Sequence, residues 1–351
     1  CRALSNIKDV TLYLYSPSPI NNAVSGLESV TIRIHSWNNG LLRQLWSESY
    51  LPLWAKEDEI DVFWGPSHRL PRFLSSRIAR VVTIHDLVWK LAKETMHPAT
   101  YFLEKIQMPV AVRKADLIVA DTYSTRDAVI TEFDVKPQNI SVIPLAASNI
   151  QNIPSFDFLE KYDIDGLYFL FVSTLEPRKN LTRLLQAYDS LPLSIKGKMK
   201  LVIVGGKGWG EVNLLDTITQ LDLIECVKVL GRVDDTVLAT LYANAQFLVM
   251  PSLYEGFGLP LVEAMSYGTP VLTANNSSMP EVAGNAGLLV DALDVESIAD
   301  GLQEMITNNE LRERLAKNAK LNASRFSWDE SAKKLITVFE KAIDLRKDKL
   351  A

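Results

Sequence analysis

Cysteine is nearly absent from this chain: Cys1 and Cys226 are the two in 351 residues. They build no disulfide framework and show no metal-type spacing, which excludes a stapled secreted scaffold and fits a reducing, cytosolic compartment. Long apolar runs are missing too. None approaches the ~20 residues that a bilayer-spanning helix needs, and the opening residues do not resemble a cleavable signal. An excess of positive charge is also lacking. Lys and Arg number 37 against 42 Asp and Glu, a formal charge of -5; residues 1–150 hold 16 against 15 and the remainder 21 against 27. Nucleic acid is therefore not the expected partner. No repeat or low-complexity segment is visible. The glycines of "GGKGWG" (205–210) lack the full dinucleotide-binding spacing, so Gly205 is expected to line a ligand cleft rather than to mark a nicotinamide site.

What is present is an α/β pattern. A chain of this length, 47% hydrophobic and 23% charged, exceeds one comfortable core and predicts two domains. Apolar runs at 10–16, 61–65, 80–86, 116–121 and 140–145 predict a first series of strands, and runs at 167–173, 200–206, 227–233, 245–252, 269–275 and 286–291 a second, each followed by Gly, Pro or a helical pattern. Buried strands alternating with amphipathic stretches indicate parallel sheets covered on both faces. The turn-rich segment 149–166 is expected to link a first domain, 1–148, to a second, 167–326. Helical patterns cover 294–322 and 327–349, and 327–351 is expected to fold back on the first domain. The resulting architecture is two Rossmann-like domains facing across a cleft at the carboxyl ends of their strands.

The most informative stretch is "PSLYEGFGLPLVEAMSYGTPV", residues 251–271. It follows a strand, so Glu255 is expected at the cleft. Pro260 suits the first helical position and Gly268 the residue after the helix end, giving a helix at about 260–267. Its N-terminus offers orphan N–H groups and partial positive charge, and Gly256 and Gly258 allow close backbone approach, which together suit a phosphate. Glu263, one turn inside, can accept hydrogen bonds from vicinal hydroxyls such as those of a ribose. A diphosphate with sugars on both sides would present ribose to Glu263 and the second sugar to Glu255. The bland alternative makes Glu263 a complement to the helix dipole and Glu255 a solvated loop charge.

Together with "SMPEVAGNAGLLVD" (278–291), "STLEPRKNLTRLLQAY" (173–188), "VIVGGKGW" (202–209) and "FSW" (326–328), this stretch resembles the retaining glycosyltransferases of family four, from about Trp46 to Phe339. The resemblance implies the GT-B fold and transfer of a hexose from a nucleotide sugar with retention of configuration. It implies that Glu255, Gly256, Phe257, Gly258 and Leu259 contact the donor sugar and phosphates, and that Glu263 binds the ribose. Lys179 matches a family cation that neutralises the leaving diphosphate. Arg178 stands in for an arginine that the family places where this chain has Thr174. His85, after "RVVTI", matches the histidine that reaches the donor from the first domain, and backbone near Arg232 and Val233 is expected to meet the base, with uridine preferred to guanosine. The family's first strand and glycine-rich loop have no counterpart before Cys1.

No metal and no other cofactor is expected. "DID" (163–165) has an Asp-x-Asp form but precedes its strand, at the wrong end for the cleft. The expected partners are a nucleotide-sugar donor and a saccharide or lipid-linked acceptor, with an anionic membrane surface met by Arg69, Arg72, Arg77 and Arg80 beside Leu70, Leu74 and Ile78. Ser124 and Asp127 read as a capping box. Two other classes compete: a nicotinamide-dependent dehydrogenase, and a nucleotide-binding protein without transfer activity.

Overall fold

The computed structural model describes residues 1–20, 27, 29–36, 40–148, 156–210 and 214–350. In the first domain β1 (Leu12–Ser16) pairs in parallel with β2 (Val30–Ile34), and a separate parallel sheet runs in the order β3 (Val62–Gly65), β4 (Ala79–Ile84), β5 (Leu117–Ala120), β6 (Ile140–Val142). The edges of β1 and β3 line a common cavity of about 1090 Å³. β2 has no counterpart among the strands expected from sequence; "VTIRI" alternates in the manner of a half-exposed strand but carries Arg33 at its fourth position.

The second domain holds one six-stranded parallel sheet in the order β12 (Gly287–Val290), β11 (Val271–Ala274), β10 (Leu248–Met250), β7 (Tyr168–Val172), β8 (Lys200–Val204), β9 (Val227–Gly231). Strand order reverses on either side of β7, so the crevice where ligands enter open α/β sheets lies beyond the carboxyl ends of β7 and β10. Burial follows the period of two. Tyr168 and Leu170 pack into the layer formed by Leu241, Leu261 and Val262, whereas Phe169 and Phe171 pack into the opposite layer with Leu184, Leu302 and Ile306.

Several elements depart from expectation. The pattern at 294–322 is two helices, Val295–Thr307 and Asn309–Ala323, because Asn308 caps the second, its side chain accepting from the Leu311 N–H at 2.9 Å. Of the segment 149–166, residues 149–155 lie outside the described residues, while Leu159 and Ile164 are buried in the core of the second domain. The C-terminal helix Trp328–Asp348 lays Leu335, Val338, Phe339 and Ala342 against Val81, Leu117 and Val119 of the first domain, and Arg346 and Lys349 pair with the buried Asp116.

The basic stretch 68–80 also reads differently in three dimensions. Leu70, Leu74 and Ile78 are core residues, exposed by 6% or less, and Arg80 turns inward to the Leu74 carbonyl at 2.8 Å. The four-residue spacing that suggested an apolar membrane face is the spacing of a face turned to the core. Arg69 and Arg72 lie within 4 Å of Glu104 and Glu48, and Phe73 is the apolar side chain left outside.

Candidate active site

The turn after β7 and the turn after β10 meet at the reversal point. Arg178 and Lys179 stand on a short 3₁₀ turn, Pro177–Lys179, that precedes the Leu181–Ser190 helix. Glu255 lies between β10 and the helix Leu259–Ser266. Its carboxylate accepts from Lys179 Nζ at 2.6 Å on Oε1 and from Arg178 Nη1 at 2.6 Å on Oε2. Glu255 is buried, so it is not a solvated loop charge. Burial alone would raise its carboxyl above the ordinary range, but the charges of Lys179 and Arg178 overcome that and hold it below. Glu176 adds a second carboxylate 3.8 Å from Arg178 Nη2, so the cluster balances two cations with two carboxylates, and Lys179, with three N–H groups and one of them on Glu255, keeps donors for a ligand.

The loop is held from beneath by its neighbours. Ser277 Oγ accepts from the Glu255 N–H at 3.1 Å, and Ser278 Oγ donates to the Glu255 carbonyl at 2.9 Å. Gly258 has φ of +93°, a conformation that favours glycine, and it opens the helix in which Pro260 occupies the first turn. Phe257 is buried against Phe326. Glu263 is half-buried on that helix, with Tyr242 Oη donating to its Oε2 at 2.8 Å. Burial pushes the Glu263 carboxyl up, against the pull of the Tyr242 hydroxyl. Gly205 ends β8; a Cβ there would lie 1.6 Å from the Ser173 carbonyl oxygen, so this glycine permits the β7 and β8 turns to pack together. Arg232 is exposed and Val233 half-buried beyond β9, two strands from β7 and hence roughly 10 Å across the sheet from the charge cluster.

The first domain closes over this loop. A Cβ on Gly256 would lie 1.9 Å from the His85 carbonyl oxygen, and Thr122 Oγ1 donates to the Gly256 carbonyl at 3.0 Å. The Leu87 N–H donates to Tyr254 Oη at 3.3 Å. Glu281 accepts from the N–H groups of Tyr123 and Ser124 at 3.1 and 3.3 Å, where the helix Tyr123–Phe133 begins. Thr122, whose side chain accepts from the Thr125 N–H, is the cap of that helix; Ser124 lies inside its first turn, which replaces the expected Ser124–Asp127 capping box.

His85 follows β4 and faces the same contact. Its Nδ1 lies 2.7 Å from Asp121 Oδ2 and its Nε2 2.7 Å from the Pro66 carbonyl oxygen. Burial works against a charged ring, but the Asp121 carboxylate overcomes it and raises the imidazole above its ordinary range. His68, which the sequence leaves without a role, accepts the His85 N–H on Nε2 at 2.9 Å and turns Nδ1 to Glu104 at 3.1 Å. Asp121 and His68 escaped sequence reading because their pairings span 36 and 17 positions; the carboxyl-end placement after β5 and β3 was the available signal. "DID" lies at the opposite end of the second sheet, with Asp163 on Lys228 at 2.8 Å and Asp165 on Lys200 at 2.6 Å. Among the described residues no group of three or more His, Cys, Asp or Glu is placed to hold a metal ion.

With this geometry in hand, relatives decide the family. Residues 157–322 match Glycosyl transferases group 1 and residues 1–147 match Glycosyltransferase Family 4. The O-antigen chain mannosyltransferase B of Escherichia coli is 34% identical over 82% of this chain and 76% of its own length. The chain belongs to the group 1 glycosyltransferases. Two solved structures share the fold of this glycosyltransferase. WaaG, a glycosyltransferase involved in lipopolysaccharide biosynthesis, superposes with a TM-score of 0.69 at 19% identity, over 96% of this chain and 99% of that one. HepE of Anabaena, solved with UDP-glucose, gives 0.70 at 19% identity, over 97% and 100%. The group 1 glycosyltransferase therefore has the GT-B fold, and the dehydrogenase reading falls away. It spans about a third of the length, 34%, of an Escherichia coli serotype-specific mannosyltransferase WbdA that it also matches.

Proposed function

We propose that the protein transfers a mannosyl residue from a nucleoside diphosphate sugar to a growing saccharide of the O-antigen type, with retention of configuration. The observation that carries this reading is the cluster of buried Glu255 with part-buried Arg178 and Lys179 at the strand-order reversal, one residue from the Gly256 contact with His85. The donor's diphosphate lies against the unused donors of Arg178 and Lys179 and the helix start at Gly258 and Leu259. Glu263 takes the ribose and Glu255 the transferred sugar. As the bond from the anomeric carbon to the phosphate oxygen breaks, the acceptor hydroxyl oxygen bonds that carbon on the same face. Its proton passes to the departing phosphate oxygen. No covalent intermediate is needed.

Mannose is favoured by the 34% identical mannosyltransferase, so GDP-mannose is the first donor to assay, ahead of the uridine donors that the sequence alone favoured. Lipid-linked saccharide acceptors at an anionic surface remain part of this reading, now resting on Phe73, Arg72 and Arg77. The deciding experiment is turnover with GDP-mannose, UDP-glucose and UDP-galactose on a mannose-terminated acceptor, with the product's anomeric configuration read by NMR. An inverted product, or nucleotide binding with no transfer to any saccharide, overturns it. Because protein cations neutralise the diphosphate, turnover should persist in excess chelator; complete loss restored by Mn²⁺ would contradict that part.

A further inference from the structure

Both ring nitrogens of His85 lie against groups that accept. Pro66 contributes a carbonyl oxygen 2.7 Å from Nε2, and a carbonyl has no proton to give; Asp121 Oδ2 is 2.7 Å from Nδ1. A neutral ring carries one N–H and leaves a lone pair pointing at one of these oxygens, so the pair needs a second proton. That proton can sit on the ring or on Asp121. An unperturbed imidazole holds it more tightly than a carboxyl by roughly two to three pH units; burial raises the Asp121 carboxyl and narrows that gap, while the ring's own burial is overcome by the Asp121 carboxylate, which in turn raises the ring. The His85 side chain is 37% exposed to the cleft while Asp121 is 2% exposed, so the charged ring keeps solvent contact.

We propose that Asp121 is a positioning residue that holds His85 as a charged, two-proton donor through the neutral pH range, and that Nε2–H exchanges the Pro66 carbonyl for an oxygen of the bound nucleotide-sugar diphosphate. The inference rests on the donor site proposed above. His85 carries the second positive centre of the cleft, opposite Arg178 and Lys179, where negative charge grows on the departing diphosphate.

The surroundings keep the other groups out of this role. His68, whose ring centroid is 5.4 Å away, accepts a backbone N–H on Nε2 and turns Nδ1 to Glu104, so neither of its ring nitrogens faces the cleft donor. Asp86, on the same turn as His85, accepts from the Val88 N–H and adds negative potential that favours the charged ring. From the second domain comes the backbone of Gly256, and from the Tyr123–Phe133 helix the Thr125 hydroxyl, which donates to the His85 carbonyl at 3.2 Å. Neither titrates.

The test combines two readouts. In the wild type, ¹⁵N-detected imidazole spectra should show His85 with both N–H groups at pH 7, one of them lost only above the ordinary imidazole value; a ring singly protonated at pH 7 overturns the proposal whatever the activity. Asp121→Asn is isosteric and removes the counter-charge, so His85 should titrate at or below about 6.5, the ordinary imidazole value. The folded-state value is raised in the wild type, so the charge is present below it; lowering it brings the loss into the assay window. kcat with the donor should then fall as pH rises, by roughly tenfold to a hundredfold, the cost of losing a charged hydrogen bond, while wild-type kcat falls only at higher pH. Asp121→Glu should restore the wild-type profile. If Asp121→Asn lowers activity equally at every pH, the role is structural and the proposal fails. If the ring titrates as described but turnover ignores it, the charge exists without serving the reaction. Failure of the functional reading is recognised separately, as absence of transfer by the wild type.

Discussion

Glu255 and Glu263, with seven residues between them, are assigned different tasks by their neighbours. Glu255 pairs with two part-buried cations, so Glu255→Gln should lower kcat by about two orders of magnitude while free nucleotide binds as well or better, the freed cations meeting the diphosphate. Glu263 holds ribose in ground and transition states alike. Glu263→Ala should weaken both donor and free nucleotide by about 1.5–3 kcal/mol. Calorimetric dissociation constants beside turnover numbers separate the two; loss of nucleotide binding in the first variant with none in the second would reverse the assignment. Tyr242→Phe supplies a pH test. Burial raises the Glu263 carboxyl and the Tyr242 hydroxyl counteracts it, so donor KM should climb as pH falls through that raised value, and the climb should begin at higher pH without the hydroxyl. The sequence displayed Glu255, both cations and His85, since each follows an apolar run at its carboxyl end, and Glu263 by its place one turn inside the helix that Pro260 opens. It did not display that Glu255 lies on Arg178 and Lys179, because a carboxylate 77 and 76 positions from its partners leaves no spacing to read.

At the scale of elements, the loop after β10 is packed on three sides by the turns after β4, β5 and β11. Gly256→Ala would place a methyl against the His85 carbonyl, 1.9 Å away, and backbone cannot move aside as a side chain can. The variant should hold the domains apart. Small-angle scattering should show a larger radius of gyration and turnover should be lost, with the melting of the second domain little changed; an unchanged radius with full activity would mean the contact is dispensable. Strand positions were legible because parallel strands buried on both faces are continuous apolar runs. The apolar side chains of 68–80 turn inward for an equally physical reason: Leu70, Leu74 and Ile78 mark one face, and a pattern of spacing cannot tell a face turned to the core from one turned to a membrane. Vesicle sedimentation of Phe73→Asp and the wild type, at low and physiological salt, measures what binding is left to that surface. Any electrostatic share should weaken as the screening length shortens to about 8 Å; equal binding to neutral vesicles would discard it.

Across the whole molecule, the charge cluster around Glu255 ties stability to pH. The folded-state value of Glu255 is depressed, so its contribution is present above the unfolded carboxyl value, about 4.3, and is lost as pH falls through the folded one. Removing the carboxylate leaves two part-buried cations without their partner, a cost of about 1.5–3 kcal/mol. Glu255→Ala should therefore melt well below wild type at pH 7, and the gap should close in acid; a gap that stays constant below pH 4 would show that the cluster does not couple to folding. The return of the C-terminal helix to the first domain has a mechanical consequence. The chain leaves that domain after β6 and comes back before Ser331, whose hydroxyl donates to the Pro144 carbonyl at 2.7 Å, so the outbound and returning segments touch there. Two tethers at one place form a hinge pin. A rotation about that place would carry Gly256 and Glu281 away from His85 and the Tyr123 helix start together.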